Sequence, residues 1–225
     1  MQPDGKSDSD LPFVVRWSLA AHSLWIESNG QRGARADLRN HDLRDLDLSG
    51  AELSGADLSG ADLRGACLDR GRLRLACLRG AHLDGASIRA ARFDGAELDL
   101  AVFDRARLTG CRFDTIDIVD GDGALLRGTR AARLTGARFR RATLQGCSFR
   151  GAGLDGVSFT TATLADCNFE GARLSPTAAE QVRRANCRGP QPQASLPQEP
   201  LPQDPLPQDP LPAPFTDLGR PLTRA

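Results

Sequence analysis

Cysteine, histidine and aspartate are the residue types of this chain that could support chemistry. The 225 residues include six cysteines and three histidines, but there is no Cys-x-x-Cys pair of the kind that indicates a zinc or dithiol site. His22, His41 and His82 lie in unrelated contexts, and none has a nucleophile at a spacing typical of catalysis. The sequence therefore predicts no catalytic residue, no metal site and no cofactor, and we expect a protein that is not an enzyme.

Acidic residues occur in two arrangements. Asp120 and Asp122 flank a glycine in a turn-rich segment, but their spacing matches neither an EF-hand nor a glycine-rich calcium repeat, so we reject calcium binding. The second arrangement is a set of acids at intervals of five or twenty positions: Asp37, Asp42, Asp57, Asp62, Glu97 and Asp117. What this set can do depends on the elements that position it.

An apolar residue returns every five positions over residues 36–174, and a small residue lies two positions before it. A first run extends from Leu38 to Ile118 and a second from Leu134 to Leu174. A period of five fits neither a helix, where each step of five turns the side chain by about 140°, nor a single strand, where odd steps alternate faces. The chain must turn once per repeat, with the apolar and small residues inside and the residue between them facing water.

Stretches such as Ala56–Leu58 and Ala61–Leu63 read Ala-Asp-Leu, and the whole region resembles the pentapeptide-repeat family, whose pattern is A-[D/N/C]-L-x-x. A fixed repeat of this kind indicates a solenoid. The resemblance implies an all-β fold, a right-handed quadrilateral β-solenoid with four repeats per coil. Residues twenty positions apart would then stack on one side of the rod.

Stacking at this interval predicts acidic ladders on the surface. One outward column would contain Asp37, Asp57, Cys77, Glu97 and Asp117, and the next column begins with Asp42 and Asp62. Such a ladder could imitate the phosphate backbone of DNA, although a solvated acidic face is the simpler explanation. In the core, phenylalanine alternates with leucine from Phe93 onward, which predicts phenylalanine columns on two opposite faces.

The register breaks between the two runs, because Ile118 and Leu134 are sixteen positions apart. Residues 119–131 form either two short bulges around one repeat or a projecting loop. Loops on rigid scaffolds often have functional roles, and projecting loops matter in gyrase-protecting members of the family, although a harmless insertion is an equal alternative. The candidate partner-binding residues of this segment are Asp120, Asp122, Leu125 and Arg127.

Five of the cysteines fall on repeat positions. Cys67 and Cys77 are at outward positions, whereas Cys111, Cys147 and Cys167 are at the small inward position. Cys147 and Cys167 are twenty residues apart and should be stacked neighbours. We expect free buried thiols there rather than a disulfide or a metal site.

The N-terminal segments differ from the repeat in composition. Residues 1–10 are polar, and we expect them to be disordered. Residues 11–35 contain a predicted helix from Leu11 to Ser28 that includes both tryptophans of the chain, Trp17 and Trp25. This helix should plug the open end of the coil, which would otherwise expose core and backbone edges. A partner-binding helix is the alternative.

The C-terminal segments also depart from the repeat. Residues 175–188 contain a predicted short helix that begins at Ser175-Pro176 or at the Thr177–Glu180 capping box. It would close the coil, or form a homodimer as in several family members. Residues 189–225 contain three Leu-Pro-Gln-x-Pro repeats, which predict a disordered tail or linker, with a docking motif for an aromatic groove as the alternative.

The formal net charge is zero, with 29 basic and 29 acidic residues, but the charges are not evenly distributed. Residues 36–70 contain eight acids and four arginines, and residues 124–174 contain eight arginines and three acids. There is no apolar stretch long enough to span a membrane and no cationic start typical of a secretion signal. We therefore expect a cytoplasmic protein without membrane contact.

Two functional hypotheses follow. The protein could be a DNA mimic that binds a type II topoisomerase, DNA gyrase or topoisomerase IV, and protects it from topoisomerase poisons, without binding nucleic acid itself. The arginine-rich C-terminal half argues against this hypothesis, because a DNA mimic should be acidic over its whole contact face. The alternative is a scaffold or effector that presents a flat surface to protein partners.

Overall fold

The computed structural model describes residues 11–119, 125–185 and 187–188. Its two helices are α1 (Phe13–Glu27) and α2 (Pro176–Arg184). The strands are β1 (Ser87–Arg89), β2 (Arg107–Thr109), β3 (Ile116–Val119), β4 (Leu125–Arg130), β5 (Thr143–Gln145), β6 (Gly153–Leu154), β7 (Thr163–Ala165) and β8 (Arg173–Leu174). Elsewhere the repeat region consists of single parallel β-bridges separated by turns.

The bridges join residues twenty positions apart, which confirms a β-solenoid with four repeats per coil. Asp37 pairs with Asp57, Asp57 with Cys77 and Cys77 with Glu97, all in parallel. In repeats that another coil follows, the apolar residue donates its backbone N–H to that coil, as Leu58 does to the Cys77 carbonyl at 2.7 Å. We name the four sides by their first outward residue: the first face begins at Asp37, the second at Asp42, the third at Asp47 and the fourth at Glu52.

Each corner is a tight turn. Ala56 donates its N–H to the Leu53 carbonyl at 3.0 Å, and Gly55 between them has a φ of 72°. Glycine adopts this left-handed conformation without a steric penalty, as the third residue of a type II turn requires. The predicted glycine corners are therefore confirmed.

The core consists of four columns of apolar side chains. The phenylalanine columns lie on opposite faces, as predicted. On the fourth face Phe93, Phe113, Phe149 and Phe169 stack with ring centroids 4.7 to 4.9 Å apart. On the second face Phe103, Phe139 and Phe159 stack at 4.7 and 5.4 Å. Rings of the two columns meet edge to face, and both arrangements suit the aromatic quadrupole.

A β-hairpin interrupts the coil after Thr115, whose N–H still donates to the Arg150 carbonyl of the next coil at 3.0 Å. Strands β3 and β4 are antiparallel, with Ile116 opposite Arg130 and Asp117 opposite Thr129. The coil then resumes, since Glu97 pairs with Arg133, thirty-six positions along. The antiparallel pairing favours the projecting loop over two bulges, and the interruption begins at Ile116, three residues before the predicted position 119.

Two predicted positions are wrong as a result. Ile118 is not a core residue of the coil but a half-buried residue of β3. Asp117 does not continue the ladder beyond Glu97, because it pairs with Thr129 inside the hairpin while Arg133 takes the next position on the first face.

Helix α1 packs on the first coil. The core leucines of that coil, Leu38, Leu43, Leu48 and Leu53, are at most 2 % exposed although no coil precedes them. Leu11 and Val15 belong to the same buried cluster. His22 is fully buried: its Nδ1 accepts from the Ala36 N–H at 3.1 Å, and its Nε2 lies 3.1 Å from the Ser54 carbonyl. Because Nδ1 accepts, Nε2 bears the proton and donates to that carbonyl, and burial lowers the pKa of the imidazole.

The expectation that both tryptophans form the plug is wrong for Trp17, which is 61 % exposed. Val15 and His22 lie on the side of α1 that faces the coil, and Trp17 lies on the opposite side. The helix has apolar residues on both sides, so its composition alone did not show which side would be buried.

Helix α2 begins with Ser175 as its N-cap, whose hydroxyl accepts from the Ala178 N–H, and Pro176 follows in the first turn. Its apolar side is buried through Ala178 and Val182. After the helix the chain returns to the coil, and Arg188 pairs with Asn168 on the fourth face. Whether α2 closes the coil or forms a dimer stays a prediction, and the predicted tail and the first ten residues lie outside the described residues.

Neither α1 nor α2, the helices of the described residues, has the length and apolarity needed to cross a bilayer.

Candidate partner-binding surfaces

The first face changes charge along the rod. The charged residues of its outward column are acidic at the start and arginines at the end. The column consists of Asp37, Asp57, Cys77, Glu97, Arg133, Gly153 and Arg173. The column therefore has the predicted acidic N-terminal half, but without Asp117.

Arginines neutralise much of this acidic ladder. Arg39 donates from Nε to Asp37 Oδ1 at 2.8 Å and from Nη2 to Oδ2 at 2.6 Å. The same two-bond contact joins Arg44 to Asp42 and Arg64 to Asp62 on the second face. Because the acid and its arginine are two residues apart on an extended segment, their side chains point the same way. These ladders are therefore rows of ion pairs rather than strips of uncompensated negative charge.

The ion pairs predict an unusual acid titration. The side-chain and backbone hydrogen bonds from Arg39 lower the pKa of Asp37 from 3.8 to about 2. The Asp37 carboxylate favours the folded state above pH 3.8, and this contribution disappears as the pH falls through 2, because the folded-state pKa is the lower one. We expect Arg39→Ala to raise the pKa of Asp37 toward 3.8 in a carbon-13 NMR titration.

Asp42 provides the internal control for this titration, because Arg44 lowers its pKa to about 2 independently of Arg39. It should titrate unchanged in the Arg39→Ala protein. A wild-type Asp37 that already titrates near 3.8 would show that the ion pair does not form in solution.

Glu97 holds the hairpin on the first face. Its Oε1 accepts a hydrogen bond from Arg130 Nη2 in β4, and its other carboxylate oxygen lies 3.8 Å from Cys77 Sγ. At the base of the hairpin, a Cβ on Gly95 would lie 2.5 Å from Ile116 Cγ2, so glycine is required for Ile116 to approach. Glu97 thus has a structural partner within the chain.

The remaining hairpin candidates are only partly placed. Leu125 and Arg127 belong to strand β4. Asp120 and Asp122 lie outside the described residues.

The fourth face has a column of ion-paired arginines that sequence reasoning missed. Arg72, Arg92 and Arg112 form an outward column on successive coils. Asp94, which is 2 % exposed, lies 3.2 Å from Arg92 Nε and 3.6 Å from Arg112 Nε. The twenty-residue interval between these arginines is the sequence signal that predicts the column.

The inward side of the fourth face is a column of thiols. Cys147 and Cys167 are buried neighbours, as predicted, and Cys111 adjoins Cys147 because the hairpin moves it into the same column. All three are free thiols, and the neighbouring Cys111 thiol together with burial raises the pKa of Cys147 to about 12. This thiol is therefore protonated and unreactive at neutral pH. Among the described residues, no cluster of His, Cys, Asp or Glu could hold a metal ion.

Comparison with solved structures returns several pentapeptide repeat proteins. Rfr23 from the cyanobacterium Cyanothece 51142 is 22% identical over 51% of this chain and 64% of its own, with a TM-score of 0.34. This chain therefore spans less than two thirds of Rfr23. HetL from Nostoc sp. strain PCC 7120, involved in heterocyst differentiation regulation, is 26% identical over 63% of this chain and 73% of its own, with a TM-score of 0.27.

Full-length QnrB1, a plasmid-mediated fluoroquinolone resistance protein, is 20% identical over 61% of this chain and 74% of its own, with a TM-score of 0.22. A search of curated proteins finds no match.

Two sequence models described as pentapeptide repeats match the chain. One matches residues 34–70 and 76–114 with 8 copies, and the other matches residues 131–177 with 9 copies. The gap between 114 and 131 coincides with the hairpin. Together the matches cover more than half of the chain, and it belongs to the pentapeptide-repeat family.

Proposed function

We propose that this chain is a non-catalytic binding protein that contacts a protein partner through its hairpin and the adjoining part of the first face. The observation that supports this proposal most strongly is the hairpin itself. It is inserted into an otherwise regular coil and is held to that coil by the Arg130–Glu97 ion pair.

The stacking of the coil does not require the hairpin. Parallel pairing continues from Glu97 to Arg133, and Phe113 stacks directly on Phe149 at 4.7 Å across the insertion. A segment that the core does not need, presented on a rigid scaffold, is a common arrangement for recognition. The flat faces of the rod would then contribute additional contact surface.

The second, more specific candidate function is binding to a type II topoisomerase, DNA gyrase or topoisomerase IV, with protection from topoisomerase poisons. Its support is the family resemblance together with the acidic start of the first face at Asp37 and Asp57. Arg39 neutralises Asp37 with a two-bond contact, so we assign the main contact to the hairpin rather than to imitation of DNA along the rod. A cytoplasmic location is part of this proposal.

Excision of residues 116–131 tests the role of the hairpin. It joins Thr115 to Ala132 and restores the twenty-residue interval between Glu97 and Arg133. We expect the free energy of unfolding in urea to change by less than about 1 kcal/mol, because the core is intact and loop length has a small energetic effect. Any effect of the wild-type protein on gyrase supercoiling, with or without a fluoroquinolone, should be lost.

Asp57→Lys is the comparison variant, because it reverses one charge of the ladder and leaves the hairpin intact. An effect on gyrase that survives excision but is lost in Asp57→Lys would show that the ladder, and not the hairpin, makes the contact. If the wild-type protein affects neither gyrase nor topoisomerase IV, the topoisomerase proposal is wrong.

The broader scaffold proposal has a test of its own. A photo-crosslinking residue at Thr129, which is exposed in β4, should give a specific protein adduct in cells, whereas the same residue at Thr163 on the third face should not. Absence of an adduct at Thr129 would contradict binding through the hairpin.

A further inference from the structure

Helix α1 has an exposed apolar stripe on the side away from the coil. Five large hydrophobic side chains are well exposed in the part of the chain that the structure describes, and four of them lie on α1. They are Phe13 at 71 %, Val14 at 57 %, Trp17 at 61 % and Leu24 at 45 %. We call these four residues the α1 stripe.

Helical geometry places the stripe on one surface. At about 100° per residue, Phe13, Trp17 and Leu24 fall within roughly 40° of one another, and Val14 lies at the edge. Val15 and His22 project from the opposite side and are buried against the coil. The described part of the chain therefore leaves the stripe uncovered, and a contiguous apolar surface with two aromatic rings indicates an interaction site.

Charged residues along one edge of the stripe identify its partner. Arg16 and Glu27 are exposed, lie within roughly 20° of each other around the helix axis, and are eleven residues apart. Neither forms an ion pair with another described residue. When two copies of α1 pack antiparallel about a twofold axis, the same edge of each helix meets the other, and Arg16 of each copy lies opposite Glu27 of its partner. A parallel pair would place this edge on opposite sides of the seam, so these contacts would not form.

We propose that the α1 stripe is a homodimer interface, in which two copies of this chain pack their α1 helices antiparallel. In this register Trp17 of each copy packs against Leu24 of the other, and the two Arg16–Glu27 contacts fix the orientation. An isologous interface requires a self-complementary surface of this kind.

A lipid surface fits the stripe less well. Helices that lie in a membrane interface typically have several lysines or arginines along their polar side. Helix α1 has one arginine and one glutamate, so it offers no net attraction to anionic lipid.

Dimerisation through α1 is independent of the hairpin proposal. Helix α1 contacts the first coil at Ala36 and Ser54, whereas the hairpin is held at Glu97, three coils further along the first face. Failure of one proposal therefore leaves the other standing.

Sedimentation equilibrium of the full-length chain tests the interface. We expect the wild-type protein to form a reversible dimer and Trp17→Glu to raise the dimer dissociation constant at least about 100-fold, as loss of a central aromatic contact does. Leu100→Glu is the matched control, because Leu100 is 67 % exposed but lies outside α1. It should dimerise like the wild type, and circular dichroism should confirm that both variants are folded.

Charge exchange tests the antiparallel arrangement. Arg16→Glu and Glu27→Arg should each weaken the dimer about tenfold, since like charges then face each other. The double variant should regain wild-type affinity, because both contacts re-form with reversed sign.

Three results would overturn the proposal. One is a wild-type protein that stays monomeric. If that monomer binds phosphatidylcholine–phosphatidylglycerol vesicles through Trp17, the stripe is a lipid-binding surface instead. The second is a dimer that Trp17→Glu leaves intact, which would place the interface elsewhere, for example at α2. The third is a double charge variant that dissociates more than either single one.

Discussion

Leu98→Arg is expected to unfold the coil. Leu98 is fully buried, and its backbone N–H donates to the Arg133 carbonyl of the next coil at 2.7 Å. An arginine there would bury an unpaired guanidinium between two coils, which costs several kcal/mol. Since domains are typically stable by only about 5–15 kcal/mol, this single change removes much or all of the stability. Urea denaturation followed by circular dichroism would measure the loss.

Arg79→Ala is the matched control on the same face. Arg79 is exposed, and no ion pair joins it to another described residue. Its removal should change the free energy of unfolding by no more than about 0.5 kcal/mol. If Leu98→Arg and Arg79→Ala had similar effects, the assignment of inward and outward columns would be incorrect.

Phe113→Ala should produce the second-largest effect, a loss of about 3–5 kcal/mol. The Phe113 ring is stacked between Phe93 and Phe149 at 4.8 and 4.7 Å, and it meets the edge of Phe103 at 6.4 Å. Truncation would leave a ring-sized cavity that three neighbouring rings line and that stacked coils have little freedom to close. Chemical denaturation should show a lower midpoint with an unchanged dependence on denaturant concentration.

Phe113→Leu separates the loss of volume from the loss of the aromatic contact. Leucine occupies the equivalent core position in the first coils of this face, at Leu53 and Leu73, so the backbone accepts it. We expect a cost well below that of alanine. An alanine variant as stable as the leucine variant would mean that the coils relax to fill the cavity.

Most of the coil could be predicted from the sequence, because a period of five excludes both a continuous helix and a continuous strand. The start of the hairpin could not. Ile118 is five positions after Phe113, so the apolar period continues by coincidence through β3 while the chain has already left the coil. Only the pairing partner of a residue distinguishes a coil repeat from a hairpin strand. For Ile116 that partner is Arg130, within the hairpin.

The charge state of the surface was predictable in principle. Asp37 and Asp42 belong to the predicted outward ladders, and each is followed two residues later by an arginine, Arg39 or Arg44. Residues two apart on an extended segment lie on the same side, so the recurring Asp-x-Arg triplets at 37–39, 42–44 and 62–64 already indicate ion pairs.

The orientation of α1 required the structure. Val15 and Trp17 are both apolar, and the sequence contains no periodic signal that favours burying one rather than the other. The two hydrogen bonds of His22, to the backbone of Ala36 and Ser54, show which side of α1 faces the coil. Such contacts lie fourteen and thirty-two residues apart in sequence, beyond the reach of local pattern.

The geometry of the hairpin makes the length of an insertion almost irrelevant to the rod. Its first and last residues, Ile116 and Arg130, are directly paired, so the chain leaves and re-enters the coil at points one strand spacing apart, about 5 Å. Any segment whose two ends meet as a strand pair satisfies the same boundary condition. The corner after Thr115 is therefore a position at which a foreign sequence could be inserted. An insert of almost any length could be displayed there without changing the sequence of any coil.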